Sequence, residues 1–515
     1  MRLSAYQSLF YYYSMDLEDD EIRQMVNEWL EEWLKVRKRE EFMFLISILK
    51  KAFGFGVMPK LASLVNLLLL PLITPFLTPF DYGIWGVITS YSGLFITIAP
   101  LGLNLFLTNS YYEYSNHWRV LWGRVICYFY LSGILLSIVY ICVIMGMLSE
   151  VGIQKRFLIA MISCVPLLLF GNTVIAQHLY PLKGTPKPLV YRTLLGSICG
   201  MTVSFVSIYF FKAGYWGFLF GVAVTAIVSF TLFCPLLFKK EGIKPIIDRK
   251  WKKLVDMLKL SWPLIPHALG FVLLSSSSRI IMNLYQVSLE DIGLFSNGYM
   301  MGDYITIITT SLVVALVPQL QKTYRDKRFG DYRSLYYFCQ FTTLTAVFTV
   351  AIWMPDIYRV VIRNESFQSC SAIASIICFA NVLLPFYNFT SNVAFIKKDS
   401  KQLLWLIFMP GAVNIFLSII LIPILGYVSV VYSTLVSYWT IAIIPFFVPY
   451  FHKNTKVWMG KLNRIIVILL IVLLAVVVAQ YLSQTLWWIK IMVMIPIVLV
   501  YFFMLNKFQI KKIFQ

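Results

Sequence analysis

Charge is what this chain has least of. Asp, Glu, Lys and Arg make up 13% of its 515 residues, about half the share of an average soluble domain. That shortage excludes a soluble globule of this length, which could not wet its own surface. Histidine is rarer still, with four residues, none at metal-ligand spacing. The eight cysteines (Cys127, Cys142, Cys164, Cys199, Cys234, Cys339, Cys370 and Cys378) form no Cys-x-x-Cys pair. They fall inside or at the ends of apolar runs and read as small buried apolar residues. A Ser/His/Asp set, a glycine-rich phosphate cradle and paired carboxylates are all missing, so the chain is not expected to be an enzyme. Long loops on the sparsely charged side are missing too, which argues against a polysaccharide polymerase with an external catalytic loop.

What is present is apolar. Hydrophobic residues make up 59% and aromatics 17% of the chain, with a mean hydropathy of +0.76. The apolar runs reach the length of about 20 residues that spans a bilayer. They are continuous rather than alternating, and lipid offers the backbone no hydrogen-bond partner, so they read as helices. The expected spans are 57–78, 82–107, 125–148, 157–180, 190–211, 214–238, 261–285, 291–317, 335–354, 368–396, 402–424, 426–450, 462–484 and 486–506. The fold class is therefore an all-α polytopic membrane protein of about 14 transmembrane helices.

The net charge of +20 is explained by loop positions, without nucleic acid. Lys and Arg accumulate on the cytoplasmic side of membrane proteins. With a cytoplasmic N-terminus, Arg119, Arg124, Lys183, Lys187, Arg192, the clusters Lys239–Lys259 and Lys322–Arg333, Lys397, Lys398, Lys401, Lys453, Lys456, Lys461, Arg464, Lys507, Lys511 and Lys512 all fall inside. The other side holds Lys155, Arg156, Lys212, Arg359, Arg363 and Lys490. The asymmetry predicts both termini in the cytoplasm. The trp and tyr side chains near span ends, including Trp85, Trp122, Trp353 and Trp439, are assigned to the aromatic belt.

The chain divides into a charged cytoplasmic segment 1–42, a six-helix bundle 43–250, a second six-helix bundle 251–455, and an extra helix pair with a tail, 456–515. Segment 1–42 carries ten acidic residues. It is either a cytoplasmic appendage or sequence upstream of a start near Met43. The two bundles rest on an internal repeat. Asp81 and Gly83 align with Asp291 and Gly293. Lys183–Lys187 then falls opposite Lys397–Lys401, and Gly214-Tyr215 opposite Gly426-Tyr427. The shift covers an even number of helices, so the repeats are parallel, around a central cavity where transporters place their substrate.

The run Leu70-Pro71-Leu72-Ile73-Thr74-Pro75-Phe76-Leu77-Thr78-Pro79-Phe80-Asp81-Tyr82-Gly83, with its spaced prolines and Pro-x-x-Tyr-Gly turn, resembles a polysaccharide-synthesis flippase of the multidrug/oligosaccharidyl-lipid/polysaccharide exporter superfamily. Gly102-Leu103-Asn104 and Tyr111-Tyr112 fit the same pattern, and the resemblance runs from about residue 50 to 506; the acidic N-terminal segment departs from it. The resemblance implies a flippase of the bacterial cytoplasmic (inner) membrane. Its cargo would be a polyprenyl-diphosphate-linked oligosaccharide, an O-antigen or capsule repeat unit of lipopolysaccharide-type pathways. It would need no cofactor beyond H+ or Na+ coupling, and its partners would be membrane lipid and polysaccharide assembly proteins. Pro59, Pro71 and Pro75 interrupt backbone hydrogen bonding in the first span, as a bending helix would require.

Ionisable groups at membrane depth are costly and mark pathways. Arg279, after Ser275–Ser278, is expected to bind the cargo's anionic charge, for which its planar fork is suited; the alternative is a structural pair. Asp303, near the middle of the eighth span, is expected either to carry the coupling ion or to pair with Arg279. Lys60 in the first span is expected to draw in the diphosphate or to snorkel to the interface. Asn66, Asn104 and Asn297 are candidate donors to sugar hydroxyls, or interhelical hydrogen bonds. Two basic groups to one acid favour an anionic cargo over that of a multidrug or organic ion antiporter.

Overall fold

The computed structural model describes residues 61–114, 117–185, 187–247, 258, 265–397, 399, 402–460 and 463–507. Segment 1–42, Pro59 and Lys60 lie outside the described residues. Within them, every regular element is helical. The first half consists of α1 (Leu61–Ile73), α2 (Pro79–Ile98), α3 (Asn104–Glu113), α4 (Trp118–Met147), α5 (Ile153–Ser163), α6 (Val165–Leu182), α7 (Lys187–Tyr209) and α8 (Tyr215–Pro235). The second half runs through α9 (Ile265–Leu284), α10 (Leu289–Asp303), α11 (Ile305–Arg325), α12 (Phe329–Ile357), α13 (Cys370–Ala380), α14 (Leu384–Ile396), α15 (Leu403–Leu425), α16 (Ser429–Ile443) and the short α17 (Pro449–Trp458). Then come α18 (Asn463–Ser483) and α19 (Trp487–Lys507).

Among the described residues, eleven helical stretches are long and apolar enough to cross a membrane. The other three expected spans are occupied by α1, α2 and α19. The protein is thus a multi-pass membrane protein, with fourteen helical passages matching the expected ones. Some passages are broken. Pro71 lies inside α1, which passes into a 3-10 turn at Thr74–Phe76. The eighth passage breaks between α10 and α11, and the tenth between α13 and α14, where a 3-10 turn occupies Asn381–Leu383. The second passage is shorter than expected: α2 stops at Ile98 because Leu101 and Gly102 take φ of 51° and 70° and turn the chain into α3.

The repeat is visible as matched local chemistry. Thr78 caps α2, accepting from Asp81 N at 3.2 Å and donating to Asp81 Oδ2 at 2.7 Å. Ser288 caps α10 in the same way, accepting from Asp291 N at 3.1 Å and donating to Asp291 Oδ2 at 2.8 Å. Gly214 and Gly426, which precede α8 and α16, have φ of 56° and 72°, where a side chain is strained. Lys183 follows α6 and Lys397 follows α14, each as the C-terminal cap.

The halves meet through α2, which packs against α9 and α10. A methyl group on Gly83 would overlap the carbonyl oxygen of Leu289, and one on Gly293 would overlap that of Pro79. Leu289 stands in the second repeat where Pro79 stands in the first. The contact is therefore reciprocal, as a two-fold axis between like surfaces demands. Around this crossing Glu150 Oε1 accepts from Leu289 N at 3.0 Å, and Asn283 donates to Met147 O at 3.0 Å. Asn364 donates to Thr74 O at 2.9 Å and to Leu77 O at 3.0 Å. All of these lie at the end with few basic loops. At the opposite end the loops are tied within each half: Lys183 pairs with Glu241, Arg119 donates to Glu241 O at 3.0 Å, and Lys397 donates to Asn454 at 2.6 Å.

The pair α18–α19 lies on the flank of the second half, against α12. Its polar tether is Lys490, 2% exposed at its side chain, which pairs with Asp356 and donates to Ser483 O at 2.8 Å. Removing one member of a buried ion pair costs about 3–5 kcal/mol, whereas an apolar replacement of both is far milder. Lys490→Met alone should therefore lower the thermal unfolding temperature in detergent, and adding Asp356→Leu should recover most of the loss. Equal stability of the single variant and the parent protein would show that the pair does not hold α19.

Candidate functional site: a cavity between the two halves

Between the halves lies a cavity of about 300 Å³ lined by Tyr82, Trp85, Gly86 and Thr89 of α2, Arg279 of α9, Ser296, Tyr299, Met300 and Asp303 of α10, and Tyr304, Thr306 and Ile307 beyond the helix break. Positions 82, 85, 86 and 89 follow the i, i+3, i+4, i+7 pattern of a single helix face, as do 296, 299, 300 and 303. Both helices follow the repeated capping turn, so the same turn aims the two faces at each other. Gly86 lets them close, because a methyl group there would overlap Ser296 Oγ.

Arg279 is the buried cation of the site, 9% exposed. Its guanidinium carbon stands 4.4 Å from the ring centre of Tyr299 and 5.7 Å from that of Phe295, an arrangement that stabilises a desolvated cation by about 2 kcal/mol. The Tyr299 hydroxyl is held by that of Tyr438 at 3.1 Å. Among the described residues, Arg279 Nε is buried with no hydrogen-bond partner, and Ser296 Oγ is in the same condition. Behind Arg279, Asn414 donates to Ser277 Oγ at 3.0 Å and Ser278 Oγ at 3.1 Å, tying α9 to α15.

Asp303 stands near the middle of the eighth passage, half-buried, at the point where α10 ends in the helix break. Asn381, in the break of the neighbouring passage, donates to Asp303 Oδ1 at 3.4 Å, and Thr306 donates to the Asp303 carbonyl at 2.7 Å. Two interrupted helices thus meet at one carboxylate.

The asparagines are scattered. Asn297 is fully buried and accepts from the Tyr358 hydroxyl at 2.7 Å; it does not line the cavity. Its helix turns it towards Tyr358, in the π turn that follows α12. Asn66 has an exposed side chain on α1 and stands outside the lining. Asn104 opens α3, past the turn that ends α2, and is likewise outside the lining. Asn172 is an interhelical link, accepting from Tyr130 at 2.7 Å.

Trp85 corrects the aromatic-belt assignment. It lines the cavity and stacks on Phe218, with ring centres 5.1 Å apart and planes 21° from parallel. Trp122 is fully buried and donates to Ser110 Oγ at 3.1 Å. Sequence reasoning missed Tyr82, Thr89, Ser296, Tyr299 and Thr306. Their signal was available for four of them: Tyr82, Thr89, Ser296 and Tyr299 follow a repeated capping turn at helical spacing, on the face that also carries Gly86 or Asp303, whereas Thr306 lies beyond the helix break.

Solved structures share the fold. The inward-facing conformation of a multidrug resistance MATE family transporter of the MOP superfamily matches with a TM-score of 0.60 at 13% identity, covering 78% of this chain and 96% of that one. The lipid II flippase MurJ, in its inward closed conformation, matches with a TM-score of 0.60 at 16% identity, covering 82% and 96%. No curated protein matches the sequence. Residues 48–324 match the family model described as polysaccharide biosynthesis protein. That match spans more than half of the chain, and the protein belongs to this family.

Proposed function

We propose that the protein is a flippase that moves a polyprenyl-diphosphate-linked oligosaccharide, an O-antigen or capsule repeat unit, from the inner to the outer leaflet of the bacterial cytoplasmic membrane. The observation that carries this reading is the buried guanidinium of Arg279 in a cavity between two repeated halves. A diphosphate gives such a group acceptors, including for the Nε that the described residues leave without a partner, and charge-assisted hydrogen bonds are the strong ones. The family match supports a role in polysaccharide assembly, and the lipid II flippase of like fold supports a lipid-linked cargo. An organic cation, the cargo of the antiporter alternative, would have to enter beside Arg279 and is disfavoured by like-charge repulsion. Closure at the sparsely charged end leaves the basic end as the route of entry, and rocking of the halves would reverse the access. The test is to delete the gene and follow lipid-linked repeat units. Trapping on the inner leaflet supports the reading, and normal surface polysaccharide sinks it.

Asp303 is the proposed coupling group, binding H+ or Na+ where two interrupted helices meet. Asp303→Asn in proteoliposomes should leave downhill exchange of cargo measurable while abolishing its acceleration by an imposed H+ or Na+ gradient. Retention of the full gradient response would remove Asp303 from coupling.

A further inference from the structure

Trp85 is the tryptophan of the described lining and carries its broadest ring system. Phe218 covers one face of its indole, and Phe218 is braced in turn by Tyr82, ring centres 5.7 Å apart and edge to face. Tyr82 is itself anchored, its hydroxyl 3.2 Å from Thr74 Oγ1 and its ring edge to face with Phe367 at 5.1 Å. Trp85 also lines the cavity. One turn along α2, Thr89 donates its hydroxyl to the carbonyls of Trp85 and Gly86 at 2.9 and 3.1 Å, so its free lone pairs can accept from a ligand. Asp303 and Thr306 lie on the same lining.

Resting on the flippase reading above, we infer that Trp85 is the platform for the sugar ring bonded directly to the diphosphate, and so a specificity-determining residue. A pyranose has a face of C–H bonds carrying partial positive charge and a rim of hydroxyls. An aromatic face is negative and favours such hydrogens, while carboxylate and hydroxyl oxygens accept from the rim. An acyl chain would cover the indole and make no use of the hydroxyl lone pairs of Thr89 and Thr306, whose protons are already given to backbone carbonyls. The volume of about 300 Å³ lies at the small end of ligand pockets. With the diphosphate on Arg279, the space reaches only the first ring, and the later sugars must trail outside it.

The experiment uses the full chain in nanodiscs and two probes: polyprenyl diphosphate alone, and polyprenyl diphosphate carrying a single glucose, whose equatorial hydroxyls leave both C–H faces clear. The glucose-bearing lipid should bind the parent protein about tenfold more tightly than the bare lipid. Trp85→Leu should bring that ratio to within about twofold, and Trp85→Phe should leave an intermediate ratio. Melting curves identify any variant that has lost its fold, and Trp85→Phe keeps the aromatic packing on Phe218. A parent ratio near one, or an unchanged ratio in Trp85→Leu, overturns the assignment. Arg279→Ala separates the two readings. If it weakens both lipids while Trp85→Leu leaves the ratio intact, only the Trp85 assignment fails; if it weakens neither, the flippase reading itself fails.

Discussion

Arg279→Ala should reduce transport of a fluorescent polyprenyl-diphosphate sugar in proteoliposomes by about a hundredfold, since hydrogen bonds to a charged group are each worth about 1.5–3 kcal/mol. The protein should still fold. The guanidinium rests against ring faces, and its neighbour Tyr299 keeps its bond to Tyr438. Arg279→Lys keeps the charge and loses the planar fork, so it should recover part of the activity and remain about tenfold impaired. Transport by Arg279→Ala at the parent rate would end the anion-carrier reading. A loss confined to thermal stability would reassign the residue to structure.

The second large effect is expected at the crossing of α2 and α10. Gly83→Ala and Gly293→Ala each force a methyl group onto a carbonyl oxygen of the facing helix. Overpacking of this kind costs about 1–3 kcal/mol, and backbone cannot move aside as a flexible side chain can. The cost falls only on the arrangement in which this end is closed. Both variants should therefore shift the protein towards an arrangement open at this end and stall the cycle. In either background, Leu77→Cys, at a position 2% exposed beside the crossing, should become reactive to a membrane-impermeant maleimide. Gly146→Ala, whose methyl group meets nothing within 4 Å, is the matched control and should leave transport intact. Parent-level transport in both crossing variants would show that the contact does not need to re-form.

Much of this protein was legible from its residues. Apolar run length located the passages, because a lipid-immersed backbone has no alternative to helix. The repeat was legible because the same local problem, starting a helix in the membrane boundary, was solved twice with Thr78–Asp81 and Ser288–Asp291. Arg279 and Asp303 stood out because charge in that setting is costly, and both line the cavity. For the asparagines the sequence left two roles open. A neutral amide can serve a ligand or a neighbouring helix equally well, and only the direction of the helix face distinguishes Asn297, bonded to Tyr358, from Ser296 one residue earlier. Trp85 was misread for a related reason: an aromatic near a span end suits an interface, and nothing local says that α2 turns that face inward.

The sequence alone determined that the chain crosses a membrane, how often, that it is built on two like halves, and which charges are out of place. These follow from the solvent, which acts on each segment separately. Tertiary structure decided which faces of α2 and α10 confront each other, that Gly83 and Gly293 let them touch, and that Arg279, Asp303 and Trp85 share one space. Those outcomes depend on the rotation and close approach of helices far apart in the chain, and steric fit across such a contact is a property of the pair, carried by neither helix alone.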